Sequence, residues 1–316
     1  MVAIALSLGD NICCSSGNSE TPDLVLSRAL SSSMVLQRAP ARARLWGTAA
    51  PGAVIAVATQ AFTTTADASG RWSLLLPPQP AGPAFGTGTI IVSSNHGGSA
   101  TLVDVLFGET WLCTGQSNMG LPLGGIGAGD SGHEKLVSWS GAVSWGEQEL
   151  NKTDHYPLVR VTTQGMPTKN LSCAPFHGRQ RCSRNTPMED VMTSGWIAKK
   201  TKANMYGFSA VCWMYGRRLF DHLQETEAAP VPVGLVQIAV GGTAVELWSS
   251  SESLGMCDQR RAKRMAPCQD PRESVMYHEV TYTNGTLYNS MLHPWTSLAV
   301  RGAIFYQVRS LLIDLS

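Results

Sequence analysis

The chain has almost no excess charge of either sign. Across 316 residues, 24 Lys and Arg stand against 23 Asp and Glu, for a formal net charge of +1. Without a global field there is nothing to gather nucleic acid or an anionic membrane surface, so neither is expected as a partner. Long apolar runs are missing as well. No stretch reaches the about 18 residues that suggest a membrane span. The eight cysteines are scattered and include no C-x-x-C pair of zinc-binding type, and no motif calls for a cofactor. Internal repeats and low-complexity tracts are absent. The G-x-S-x-G form of a nucleophile elbow is absent too. The one dense basic cluster, Arg260, Arg261, Lys263 and Arg264, lies in a polar stretch between two cysteines and reads as a solvated loop.

What is present is enough chain for two domains and a sizeable core. Residues 1–30 form an N-terminal segment in which "VAIALSL", from Val2 to Leu8, resembles a short remnant of a secretory h-region, although no positive residue precedes it. Residues 31–106 carry short β-rich runs such as "ARLWG", "AVIAVAT", "RWSLLLP" and "TIIVSS", separated by Pro/Gly turns. That texture predicts a small antiparallel β-sandwich domain. Trp46 and Trp72 within it fit either core positions or platforms for a sugar.

From residue 107 to 316 the texture changes. "TWLC", "LVRVTT", "VGLVQIAV" and "GAIFYQ" are continuous apolar runs of the kind buried in parallel sheets. Between them "YGFSAVCWMYGRRLFDHLQ" has helical periodicity, with Arg217, Arg218 and Asp221 toward water. The fold class is therefore α/β with a mostly parallel sheet, and its chemistry should gather beyond the carboxyl ends of the strands. Gly120–Ser144 and Lys169–Asn185 read as long loops.

Two motifs fall at such strand ends. In "GETWLCTGQSNMG", Ser117 would sit on a turn between strand and helix. There it is either a nucleophile whose own N–H helps to hold an oxyanion, or a cap for the next helix. In "AVGGT", Gly241 and Gly242 let the backbone approach a ligand. The N–H of Gly242 is then either a second oxyanion donor or part of a strand-ending turn.

N-x-S/T sequons stand at Asn151, Asn170 and Asn284, and with the scattered cysteines they favour a secreted or lysosomal glycoprotein, with a cytosolic form as the alternative. In the oxidising setting Cys173 with Cys182 and Cys257 with Cys268 are short-loop disulfide candidates.

Taken together, "GETWLCTGQSNM", "FSAVCWMYGRRLFDHLQ", "VPVGLVQIAVGGTAVELWSS" and "LYNSMLHPWTSLAVRGAIFYQ" resemble successive blocks of the sialate O-acetylesterase family, SGNH-type carbohydrate esterases. "SSMVLQRAPARARLWGTAAPGA" resembles the start of that family's amino-terminal β-domain. The resemblance runs from about Ser32 to Gln307. It implies a three-layer, flavodoxin-like SGNH-hydrolase domain over residues 107–316, which acts without a metal on O-acetylated sialic acid or a related acetylated sugar. By the same resemblance Ser117 is the catalytic nucleophile, and the N–H groups of Ser117 and Gly242 belong to the oxyanion hole.

The resemblance departs after Gln307. In the family an asparagine block follows that strand, and a late Asp-x-x-His block supplies the base and its orienting carboxylate. Here "VRSLLIDLS" ends the sequence, so the expectation is an esterase domain lacking its C-terminal part, with weak or no activity. A non-catalytic carbohydrate-binding or decoy form is the alternative. Asp130 and His133 have Asp-x-x-His spacing but the wrong place in the chain. His293, in "LHPW", reads as structural, and His278 has no partner that the sequence reveals.

Overall fold

The computed structural model describes residues 24–57, 62–124, 146–166, 171–176, 179–262, 274–276 and 280–307. The "VAIALSL" stretch, Asp130, His133, Asn170, Lys263, Arg264, Cys268 and His278 lie outside them, as does most of Gly120–Ser144.

The N-terminal part contributes β1 (Leu24–Leu26), β2 (Val35–Gln37), β3 (Arg44–Ala49), β4 (Val54–Val57), β5 (Phe62–Thr65), β6 (Arg71–Leu75), β7 (Gly82–Pro83), β8 (Ile90–Ser94) and β9 (Ser99–Leu102). All but β2 and β7 pair into two antiparallel sheets, β1-β3-β6 and β5-β4-β8-β9. Strand alternation is plain in β6, where Trp72 is buried between exposed Arg71 and Ser73. Inward side chains of both sheets, among them Leu45, Ile55, Trp72 and Val92, share one buried cluster. Trp72 is 3% exposed and so belongs to the core, whereas Trp46 is half-buried.

The next strand belongs to both halves of the molecule. β10 (Leu106–Gly115) begins beside β2 and β7 and then runs into the central sheet. With β11 (Val159–Thr163), β14 (Val233–Ala239) and β17 (Gly302–Tyr306) it makes a parallel sheet of order β11-β14-β10-β17. These are the four apolar runs expected as parallel strands. β14 is buried along nearly its whole length, as suits a strand covered on both faces, while β17 alternates between half-buried and exposed at the sheet edge. The buried cluster of the N-terminal sheets continues through Val236, Ile238, Leu247 and Trp295, so no layer of solvent divides the two parts.

Helix α1 (Lys202–Met205) is one turn, closed by a reciprocal cap between Thr201 and Asn204. Helix α2 (Ala210–Thr226) is the main helix against the sheet, and it buries Ala210, Cys212, Trp213, Gly216 and Leu223. Its periodicity was legible, but Arg217 does not face water as expected. Its guanidinium is 14% exposed, 3.3 Å from the buried carboxylate of Glu149 and 6.0 Å over the Tyr156 ring. Helix α3 (Ser251–Ala262) carries the backbone of Cys257, Arg260 and Arg261, so part of the expected basic loop is helical.

A second difference concerns Lys169–Asn185. Instead of an irregular loop, β12 (Ser172–Phe176) and β13 (Arg179–Ser183) pair antiparallel, with Cys173 directly opposite Cys182 and bonded to it. β16 (Val280–Tyr282) and β15 (Ser274–Met276) complete this small sheet. Of the sequon asparagines, Asn151 is exposed and Asn284 half-buried.

Candidate active site

The site is built where β10 and β14 end side by side. Their register pairs Cys113 with Gln237, Thr114 with Ile238 and Gly115 with Ala239, so the two following loops leave the same edge of the sheet. Gly115 has φ +143°, and a Cβ there would come within 2.2 Å of the Tyr306 carbonyl oxygen. Glycine thus lets β17 lie against the end of β10. One residue on, the Gln116 N–H donates to that same carbonyl at 3.2 Å.

Ser117 then enters a turn closed by the Gly120 N–H donating to Gln116 O at 2.8 Å. Ser117 and Asn118 are exposed, while Met119, 1% exposed, plugs the turn into the core. Its sulfur accepts the Ser209 hydroxyl at 3.6 Å.

No helix starts at this turn. After Gly120 the chain runs extended beside residues 206–210: the Leu123 N–H donates to Phe208 O at 2.7 Å and the Ala210 N–H to Leu121 O at 2.8 Å. The expected strand-to-helix elbow is therefore a strand-to-turn elbow through Gly124, and no helix is there for Ser117 to cap. The reason is competition: the N-terminus of α2 occupies this place and takes its cap from Ser209, whose hydroxyl accepts from the Cys212 N–H at 3.0 Å. Any oxyanion stabilisation here comes from turn N–H groups rather than from a helix dipole.

The second loop touches the first. Beyond β14 the Val240 N–H donates to Gly115 O at 3.1 Å, and Gly241 and Gly242 form the next turn. Gly242 has φ +69°, a left-handed conformation that favours glycine. A Cβ on Gly241 would stand 3.5 Å from the Ser117 Cβ and 3.9 Å from its nitrogen. The turn is braced from below: the Thr243 hydroxyl donates to Val240 O at 2.7 Å and accepts the Trp248 indole N–H at 2.9 Å. The Gln307 amide donates to Thr243 O, which ties the end of β17 to the same loop. Among the described residues the N–H groups of Ser117 and Gly242 have no acceptor within the chain. Acyl transfer asks a backbone for N–H donors beside the attacking hydroxyl.

Two features under this site were not legible. Cys113, four residues before Ser117, is disulfide-bonded to Cys212 on α2, and both are fully buried. Gln237 on β14 accepts the Ser209 N–H at 2.8 Å through its side-chain oxygen, which fixes the start of α2 against the sheet. The Gln237–Ser209 contact carries no spacing signal. Cys212 was visible only as an apolar helical position.

The histidines do not complete a triad among the described residues. His293 sits in a short 3-10 turn (His293–Trp295) with Nδ1 3.3 Å from Met188 O, and it lines a cleft against β3 and β6, not the Ser117 turn. The Ser117 hydroxyl has no hydrogen-bond partner among the described residues. No group of three or more His, Cys, Asp or Glu able to hold a metal ion is found among them. No helix there is long and apolar enough to cross a membrane.

The chain is 30% identical over 298 residues to human sialate O-acetylesterase, and the match takes in 89% of this chain and 48% of the human protein. The mouse sialate O-acetylesterase is 27% identical over 303 residues, with shares of 88% and 50%. This chain is a homologue of the sialate O-acetylesterases. It spans about half the length of the curated relatives it matches. Among solved structures, a carbohydrate acetylesterase from Xanthomonas citri superposes with a TM-score of 0.60 at 27% identity, covering 90% of this chain and 51% of that one. The homology thus covers both motifs at the ends of β10 and β14. No family model matches the chain.

Proposed function

We propose that the chain carries the nucleophile side of an acetylesterase site acting on O-acetylated sialic acid or a related acetylated sugar. The observation that carries this reading is the contact between the Ser117 turn and the Gly241–Gly242 turn at the ends of neighbouring parallel strands. Ser117 Oγ attacks the acetyl carbonyl carbon and passes its proton to a solvent water. The carbonyl oxygen, now anionic, rests on the N–H groups of Ser117 and Gly242. Collapse breaks the ester C–O bond, and the sugar alkoxide takes a proton back from solvent water and leaves as the alcohol, giving an acetyl-enzyme. Water then releases acetate and restores the serine.

In the same reading the two antiparallel sheets form a β-sandwich domain ahead of an SGNH-type esterase domain. The protein is a secreted or lysosomal glycoprotein, which is supported by the two disulfides among the described residues and the exposure of Asn151.

Turnover by these 316 residues alone is slow in this proposal, because no histidine among the described residues stands at Ser117. Disabling a triad member costs about 10⁴ to 10⁶-fold, against about 10² to 10³-fold for one oxyanion donor. The test is acetate release from an O-acetylated sialic acid by the purified chain and by Ser117→Ala. A slow rate that vanishes in the variant is expected, and equal rates overturn the esterase reading. The Ser117 hydroxyl, unpartnered among the described residues, favours a second reading, a carbohydrate-binding protein without turnover. It predicts equal background rates with sugar binding retained.

A further inference from the structure

Away from Ser117 the molecule has a cleft of about 440 Å³ between the β1-β3-β6 sheet and the segments that carry Asp190 and His293. Nothing in the ester chemistry uses it. Its lining combines an indole with hydroxyls and carboxylates. Trp46, half-buried, contributes its side chain from β3 beside the exposed Thr48. Trp72 borders it as well, but its side chain turns to the other face of the sheet, into the core with Leu45, and is 3% exposed. From the opposite wall come Glu189, Asp190 and Ser297.

The carboxylates are held in place. Asp190 Oδ1 accepts the Ser27 hydroxyl at 2.7 Å and the N–H groups of Arg28 and Val191, each at 2.9 Å. Its other oxygen stands 3.6 Å from the Arg28 guanidinium. Glu189 reaches across the cleft to Arg71 at 2.9 Å. An aromatic surface with a few fixed polar groups in a concave site is the usual form of a small-molecule site. An indole face suits the C–H face of a sugar ring, and hydroxyls with carboxylates suit its OH groups.

The charges decide which kind of sugar. Asp67, Glu189 and Asp190 line the cleft against one guanidinium, Arg71, which Glu189 already engages. Among the described lining residues the other candidate cation is His293, whose Nδ1 stands 3.3 Å from Met188 O, so a further carboxylate brought in by the ligand would meet three carboxylates with Arg71 already engaged. We infer that the cleft is a saccharide-binding subsite for an uncharged hexose unit, separate from the Ser117 site. The assignment does not depend on the esterase reading. If both hold, the cleft takes a neutral unit of the glycan rather than the acidic one.

The test is saturation-transfer NMR on the purified chain with lactose as the neutral probe and N-acetylneuraminic acid as the anionic one. Lactose should show saturation transfer and N-acetylneuraminic acid at least about tenfold weaker binding. Trp46→Ala should abolish the lactose signal. Because Trp46 also packs on the core, Thr48→Trp is the second variant: it fills the cleft from an exposed position and should abolish the signal in a folded protein. Ser117→Ala should leave lactose binding unchanged, which separates this inference from the ester chemistry. The proposal is overturned if the wild-type chain gives no lactose signal, if Thr48→Trp keeps the full signal, or if the acidic sugar binds as well as lactose.

Discussion

Gly241 lies against Ser117 so closely that a methyl on its Cα would stand 3.5 Å from the serine Cβ and 3.6 Å from its Cα. These are ordinary contact distances, so Gly241→Ala should fold with little loss of stability. A branched side chain reaches past the serine Cα into the space beside Oγ. Gly241→Val should therefore cut acetylation of Ser117 by p-nitrophenyl acetate, followed by intact mass, at least about tenfold with a small change in melting temperature. Gly242 behaves differently. At φ +69° an alanine is strained by about 1 to 2 kcal/mol, so Gly242→Ala should lower both stability and acetylation. A Gly241→Val protein that acetylates at the wild-type rate would contradict the proposed geometry.

The Cys113–Cys212 bond closes a loop of 99 residues, and Cys173–Cys182 one of 9. If a cross-link acts mainly on the unfolded chain, its stabilisation grows with the logarithm of loop length, and the longer loop should be worth about 2 kcal/mol more. Burial adds to the difference, because Cys113 and Cys212 are fully enclosed and their truncation leaves a cavity. The double variant Cys113→Ala/Cys212→Ala should therefore unfold at clearly lower urea than Cys173→Ala/Cys182→Ala. The first bond also joins the strand below Ser117 to α2, so its loss should slow Ser117 acetylation, whereas loss of the second should not. Equal urea midpoints for the two variants would refute the ranking.

How much of this was legible depends on how local each signal is. The runs that became β10, β11 and β14 announce themselves, because a strand covered on both faces must be apolar along its length, whereas β17, half-buried to exposed at the sheet edge, is legible only as a short apolar run. α2 does so by period. The hairpin of β12 and β13 stayed hidden because its pairing residues include a proline and give no sustained apolar run, and what holds it includes the bond from Cys173 to Cys182. Arg217 was read as solvent-facing because its partner Glu149 lies far away in sequence and only the packed helix brings them together. The same holds at the site. Two glycines after β14 suggested a close approach, but Ser209, Gln237 and Met119, which set the Ser117 turn, have no spacing rule that reveals them. The turn was expected to lead into a helix, and tertiary competition from the start of α2 overrode that local preference.

Lys200 offers a pH test that does not involve the site. It is 4% exposed, and its ammonium donates to Val159 O at 2.7 Å and Ala198 O at 3.1 Å. Burial, and secondarily the charge of Arg160, push its pKa down from 10.5 to about 8, with Asp154 acting weakly against them. Between those values the unfolded chain holds a proton that the folded chain has released, so folding stability should rise with pH. Below pH 8 both states are protonated and the penalty of the buried charge is constant. Burial also pushes up the phenols of Tyr215 and Tyr282, which lowers stability as pH climbs beyond 10, so the comparison must be made against a variant. The difference in urea midpoint between wild type and Lys200→Met should shift toward the wild type from pH 8 to 10.5, while both proteins share the tyrosine contribution. A difference that stays flat across that interval would mean that Lys200 ionises in the folded protein as it does in the unfolded one.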